Sequence, residues 1–349
     1  MSRFLNNRFL DLEAYVPGEQ PQDKKYIKLN TNEMPYPPSN GVLEAVNDEA
    51  TMLNLYPDPD GRKLKEKLAK AYGVDPANVF ISNGSDEILS FSFMSFFDKG
   101  VSFADITYGF YKVYADLYGV DADIIPLKND LSIDIADYIG ANNVVIANPN
   151  APTGQILSVE DIECIIKSTE GIVLIDEAYA DFGEISCVDL VKKYDNVIVM
   201  RTYSKSRAMA GARLGFAIAD EKIIEDLETI KFSTNPYNIN RLTMKAGIAA
   251  LEDENYYDEC IRKIKETRLF VTNELRRIGF EVADSSANFV FARNDRVDGR
   301  ELYLKLKDRG ILVRHFSAER IKDYVRITIG TSEQMEVFIS ELEKILEEI

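Results

Sequence analysis

Between about residues 60 and 220 the chain alternates short, unbroken apolar runs with helical stretches of mixed polarity. The runs are Val79-Phe80-Ile81, Val101-Ser102-Phe103, Val144-Val145-Ile146-Ala147, Ile172 to Ile175, Val197 to Met200 and Leu214 to Ala219. Strands that are apolar on both faces belong to a mostly parallel sheet covered by helices on either side. Ser158-Val159-Glu160-Asp161 opens one intervening helix in the manner of a capping box. Residues 1 to about 40 read as irregular, because Pro17, Pro21, Pro35, Pro37 and Pro38 interrupt any helix. A long helical pattern runs from about 254 to 278 and stops at Gly279. Asn288 to Ala292, Ile311 to Arg314 and Tyr324 to Ile329 then read as strands, with helices near 298–309 and 332–347. The pattern predicts an α/β chain in three parts: an N-terminal arm over 1–40, a large unit over 41–250 and a small α+β unit over 251–349. The long helix is the bridge between the last two.

Chemistry gathers where the apolar runs end. Arg201-Thr202-Tyr203-Ser204-Lys205-Ser206-Arg207 sets one lysine among hydroxyl residues, and Arg213 follows eight positions later, just before a strand. Ile172 to Ile175 runs into Asp176, with Tyr179 three residues on. A lysine for a Schiff base, an acid for a pyridinium nitrogen, and hydroxyls with an arginine for a phosphate are what pyridoxal phosphate requires. Asn83-Gly84-Ser85-Asp86-Glu87 opens a helix after a short strand, where free N–H groups attract a phosphate and Gly84 allows close approach. Asn148-Pro149-Asn150-Ala151-Pro152-Thr153-Gly154 also follows a strand, at the sheet edge where ligands bind in such folds. Singly, each has a bland explanation: a solvated Ser-Lys pair, an ordinary helix cap, a turn. Their order and combination point to one site.

Composition narrows the class. At 349 residues, 46% hydrophobic and 28% charged, the chain has the make-up of a soluble globular protein. A formal net charge of −17 disfavours nucleic acid and anionic membrane surfaces. Three widely spaced cysteines and a single histidine, His315, offer no metal-ligand spacing, so no metal is expected. The first residues lack the apolar core of a signal peptide, and no apolar run is long enough to span a bilayer. A reducing, cytoplasmic setting is the expectation.

These motifs closely resemble those of fold-type-I pyridoxal-phosphate aminotransferases and, within them, the histidinol-phosphate aminotransferases. The resemblance covers nearly the full length. It takes in Leu29-Asn30-Thr31-Asn32-Glu33-Met34-Pro35-Tyr36, Leu55-Tyr56-Pro57-Asp58-Pro59, the loop and lysine motifs, and Val325-Arg326-Ile327-Thr328-Ile329-Gly330-Thr331. It implies a large domain with a mostly parallel seven-stranded sheet and a small C-terminal α+β domain. Lys205 would carry the cofactor, Asp176 would keep its ring nitrogen protonated, Tyr179 would bond its phenolic oxygen and Tyr108 would stack on its ring. Thr202, Ser204, Arg213 and the Gly84-Ser85-Asp86 helix start would hold the phosphate. Tyr56 would reach that phosphate from a second subunit of a homodimer. Arg326, Arg314, Asn32 and Tyr36 would form the substrate pocket. In one place the chain departs from its relatives: many have asparagine directly before Pro-Thr-Gly, and here Ala151 stands there. Either Asn150 reaches the phenolic oxygen or Tyr179 acts alone. The cost of an unpaired oxygen in a closed site favours Asn150.

The implied reaction is a two-stage amino transfer from a small amine to a 2-oxo acid, with L-histidinol phosphate and 2-oxoglutarate as the expected pair. Two arginines suit a site that must hold a phosphate and carboxylates in turn. The alternatives are an aromatic amino acid aminotransferase, a phosphothreonine decarboxylase-like enzyme of the same fold, and a ligand-binding regulator. The chain has no basic segment for the last, and no Gly-x-Gly-x-x-Gly for a nicotinamide enzyme.

Overall fold

The computed structural model describes residues 2–349. Its strands, in chain order, are β1 (Ile27–Lys28), β2 (Val79–Ser82), β3 (Val101–Ala104), β4 (Ala122–Ile125), β5 (Val144–Ala147), β6 (Val173–Asp176), β7 (Val197–Thr202), β8 (Gly215–Ala219), β9 (Glu281–Val282), β10 (Phe289–Arg293), β11 (Ile311–Leu312), β12 (Arg314–His315) and β13 (Tyr324–Thr328). Strands β2 to β8 form one seven-stranded sheet in the order β2-β8-β7-β6-β5-β3-β4. All run parallel except β8, which is antiparallel to both its neighbours.

The apolar runs form strands because both faces of the sheet are covered. Along β6, Val173 and Ile175 enter the core on one face while Leu174 enters the core on the other. Val197 and Val199 against Ile198 and Met200 repeat the division in β7, as the two-residue period of a strand requires. Only the first half of the predicted capping box forms: Ser158 Oγ accepts from the Asp161 amide at the head of helix Val159–Ser168, while the Asp161 carboxylate accepts from the Ser158 hydroxyl and not from its backbone N–H.

A third core cluster gathers β10, β13, helix Ser332–Glu347 and one face of the long helix Glu254–Arg277, together with Leu29, Tyr179 and Phe182. Four antiparallel strands in the order β12-β13-β10-β9 back it. The arm before residue 40 is not wholly irregular, since β1 pairs in parallel with β11 and ties the arm to this C-terminal layer. The run Ile311 to Arg314 is broken at Val313 into β11 and β12, which serve two different sheets. Among the described residues no helix is long and apolar enough to cross a membrane.

The strand directions place the site. Ala147, Asp176 and Met200 stand in register near the carboxyl ends of β5, β6 and β7. Ser82 and Thr202 both face Gly215, where β8 begins. The loops carrying the candidate residues therefore leave the sheet at one edge, the usual place for a ligand in such a fold.

Candidate active site

Two cavities share a wall at that edge. The inner one, of about 130 Å³, is lined by Ser85, Asp86, Tyr108, Asp176, Lys205 and Arg213 among others. The outer one, of about 450 Å³, is bounded by Tyr15, Asn30, Thr31, Asn32, Arg314 and Arg326 among others. Tyr108, Ala151, Tyr179 and Lys205 line both.

At the back of the inner cavity, Asp176 is buried, shares the cavity with Lys205 and forms no salt bridge among the described residues. Burial pushes its carboxyl up to about 6, against the pull of the Tyr111 hydroxyl and the Ala178 amide. Tyr111 Oη donates to Asp176 Oδ2 at 2.8 Å and the Ala178 amide to Oδ1 at 3.0 Å. At the opposite end, helix Ser85–Ser95 starts at Gly84, whose φ of 75° is the left-handed conformation that glycine adopts freely. A Cβ there would stand 2.5 Å from Arg213 Nη2. Arg213 donates to Asp86 Oδ2 at 3.0 Å and to Ser204 Oγ at 3.4 Å. The Thr202 hydroxyl donates to Ser204 Oγ at 3.0 Å, completing a cluster of hydroxyls and guanidinium beside the helix N-terminus.

Lys205 lies between the cavities. Its Nζ donates to the Thr31 carbonyl at 3.3 Å and sits 5.6 Å from the Tyr179 ring centre. The loop that carries it is pinned from behind by buried charges. Arg201 Nη2 bonds Asp181 Oδ1 at 2.7 Å, the Ser206 hydroxyl donates to Asp181, and the Glu177 carboxylate lies 3.5 Å from Arg201 Nε.

In the outer cavity Arg314 and Arg326 stand directly opposite each other across β12 and β13. Arg326 is half-buried, and desolvation of its guanidinium lowers its pKa; it donates to the Asn30 carbonyl at 2.9 Å and its Nε has no partner among the described residues. Arg314 donates to the carbonyls of Pro17 and Val16. Neither guanidinium pairs with a carboxylate among the described residues.

The sequence expectation for Asn150 is corrected. Its amide donates to the Ile106 carbonyl and Thr153 Oγ1, and its oxygen accepts from the Thr107 hydroxyl. With its bonding capacity spent on loop closure, Asn150 turns away and Ala151 faces the cavity. Tyr179 does not stand alone either, because Asn32 Nδ2 donates to its oxygen at 2.8 Å. Tyr36 is also corrected. It packs on the C-terminal core, under Lys263 and beside Cys260, and lines neither cavity. Tyr56 is 76% exposed, stacks on Tyr237 at 4.5 Å and lines neither cavity of its own chain. His315 meets the Lys322 carbonyl at 2.8 Å.

The pattern reading missed two aromatic residues. Tyr111 reads as the apolar face of helix Phe110–Tyr118, and only the fold shows its hydroxyl on Asp176. Tyr15 lies in the irregular arm and carries no motif, yet it stacks on Phe110 at 4.2 Å and closes the outer cavity.

A lysine, a buried acid and a phosphate-sized cradle at one sheet edge define an enzyme of the pyridoxal-phosphate class. The chain belongs to the aminotransferases of class I and II, whose sequence profile matches residues 24–342. Within that family it is 48% identical to the histidinol-phosphate aminotransferase of Brachyspira hyodysenteriae, over 99% of each chain. It is 47% identical to that of Clostridium acetobutylicum, again over 99% of each. The crystal structure of histidinol-phosphate aminotransferase from Sinorhizobium meliloti, in complex with pyridoxal-5'-phosphate, shares the fold with a TM-score of 0.89. The two are 24% identical, over 99% of this chain and 100% of that one.

The cofactor is pyridoxal 5'-phosphate, and the residues fit it. Asp176 is a buried acid without a salt-bridge partner among the described residues, a place that a protonated ring nitrogen would fit. The Gly84 start, Ser204, Thr202 and Arg213 offer the free N–H groups, hydroxyls and positive charge that a phosphate takes.

Proposed function

We propose that the protein transfers the amino group of L-histidinol phosphate to 2-oxoglutarate, giving imidazole acetol phosphate and glutamate in histidine biosynthesis. The observation that carries the choice of substrate is the Arg314–Arg326 pair. Like charges directly opposite in a sheet repel, so two unpaired guanidiniums here serve an anion that both can hold. A phosphate on one substrate and a carboxylate on the other both match the guanidinium fork. The full-length likeness to histidinol-phosphate aminotransferases supports the same reading.

When bound, the cofactor supplies an electron sink for the amine-bearing carbon. Lys205 Nζ, at the boundary of the two cavities, takes the proton from that carbon and returns it one position away. Asp176 holds the ring nitrogen in its protonated form. Tyr179 donates to the phenolic oxygen, while Tyr108, whose hydroxyl is tethered to Asp86 Oδ1 at 2.9 Å, covers the ring. The working unit is a cytoplasmic homodimer, in which the partner subunit's Tyr56 completes the phosphate site. Division into an arm over 1–40, a large domain over 41–250 and a small domain over 251–349 is supported by the separate core that the C-terminal strands and helices form.

Arg314→Ala tests the substrate. A charge-assisted hydrogen bond to a buried anion is worth roughly 1.5–3 kcal/mol, so kcat/KM for histidinol phosphate is expected to fall about ten- to a hundredfold. Glutamate, held at its α-carboxylate by Arg326, is expected to lose less, and Arg314→Lys to restore only part. Equal losses for phosphorylated and unphosphorylated donors would remove histidinol phosphate as the substrate and leave the transaminase intact.

A further inference from the structure

Every polar group of Asn32 that the chain reaches is engaged, and the pattern fixes which way its amide faces. Asn32 is 1% exposed and holds a φ of 55°, a left-handed conformation that asparagine tolerates better than most residues. Its backbone N–H donates to Thr328 Oγ1 at 3.0 Å, and its carbonyl accepts from Asn288 Nδ2 at 3.1 Å. Thr328 Oγ1 lies 2.9 Å from Asn32 Oδ1. A hydroxyl has one proton to give. Since Thr328 already accepts the backbone N–H, its own proton goes to the amide oxygen. The amide nitrogen therefore faces the other way, toward Tyr179 Oη at 2.8 Å.

Tyr179 must then accept in that bond. Its own proton remains uncommitted, since its hydroxyl has no further partner among the described residues, and it lines the inner cavity. Nearby, Ala151 offers no polar side-chain atom, and Asn150 is spent elsewhere. An oxygen that accepts a hydrogen bond becomes a better donor through its own proton.

We propose that Asn32 is the positioning residue of this site: its carboxamide, oriented by Thr328, dedicates the Tyr179 proton to the phenolic oxygen of the cofactor. The inference rests on the cofactor reading above. It also ties the arm and β13 to the chemistry, because Asn32 belongs to the first and bonds a residue of the second. A donor on the phenolic oxygen most favours the form in which that oxygen keeps its negative charge to itself. In the other form the oxygen shares the proton of the neighbouring imine nitrogen. Losing the donor raises the midpoint at which the absorbance of the lysine-linked cofactor changes with pH.

Asn32→Asp keeps size and backbone preference but reverses polarity, since a carboxylate accepts the Tyr179 proton. In the cofactor-loaded enzyme without substrate, the midpoint is expected to rise by about 1–2 pH units. Asn32→Gly, which keeps the left-handed backbone, and Thr328→Val, which frees the amide to turn, are expected to raise it by less. Thr328→Ser is expected to leave it at the parent value. Tyr179→Phe is expected to raise it as Asn32→Asp does, and the double variant to raise it no further, as two residues acting through one bond require. Asn32 variants that keep the parent midpoint while Tyr179→Phe shifts it would overturn the role of Asn32. A Tyr179→Phe enzyme that keeps the parent midpoint would overturn the placement of Tyr179 on the cofactor instead.

Discussion

Asp176 is held at about 6 by burial, so the folded chain keeps a proton that the unfolded chain, with its carboxyl near the ordinary 3.8, has already released. A folded pKa above the unfolded one means that stability declines as pH climbs through that window, and the deficit is complete above it. In the cofactor-free protein, Asp176→Asn is expected to be more stable than the parent at pH 8, by on the order of 2–3 kcal/mol. The gain is expected to vanish near pH 4, and urea unfolding at the two pH values measures it. Tyr111 can turn from donor to acceptor to meet the new amide. With the cofactor bound, losing the proposed charge-assisted contact to the ring nitrogen is expected to cost roughly ten- to a hundredfold in turnover. At this scale the sequence was most readable where neighbours in the chain act together. Lys205 with its hydroxyls and Asp176 at a strand end could be picked out directly. The Asn32–Thr328 pair could not, because 296 positions separate its members. Asn150 misled because its residue type does not say which way a turn aims a side chain.

The helix that begins at Ser85 carries the proposed phosphate cradle on its first turn, and its geometry depends on having no side chain at Gly84. Alanine there meets two obstacles, the positive φ and the Arg213 guanidinium 2.5 Å from its Cβ. Gly84→Ala is expected to destabilise the protein by about 1–3 kcal/mol. It is also expected to weaken cofactor binding by more than stability alone explains, since relief of the clash moves Arg213 away from Ser204. Fluorescence titration of the cofactor and thermal unfolding of the cofactor-free chain separate the two effects. Normal cofactor affinity in this variant would count against the cradle. Elements buried on both sides announced themselves as continuous apolar runs. Strand β4 did not, because its Ala122, Asp123 and Ile124 are exposed at the sheet edge. Strand β1 exists only through a partner far along the chain and β9 through the strand that follows it, and at two residues each they leave no local period.

The molecule as a whole carries an apolar surface that its own fold does not cover. Leu53, Leu55 and Tyr56 are at least half exposed, with Met52 and Tyr237 close behind. A contiguous exposed apolar patch on a soluble protein marks a contact surface. Tyr56 lies outside both cavities of its own chain, so a role for it at the phosphate requires a second copy. Exchange of subunits decides this. Lys205→Ala removes the lysine proposed to hold the cofactor, and Tyr56→Phe removes the hydroxyl proposed to reach the neighbour. Each homodimer is expected to be impaired, the first without transamination and the second with cofactor affinity reduced by roughly tenfold, the worth of one hydrogen bond to a charged group. In a mixed dimer one site combines the native Lys205 of one subunit with the native Tyr56 of the other, and the second site has neither. Mixing under conditions that permit exchange is therefore expected to raise activity at limiting cofactor above that of either parent. Half the sites in each mixed dimer regain full function. A mixture whose exchange is verified by mass, yet whose activity never exceeds the parents' average, would place the complete site within one chain.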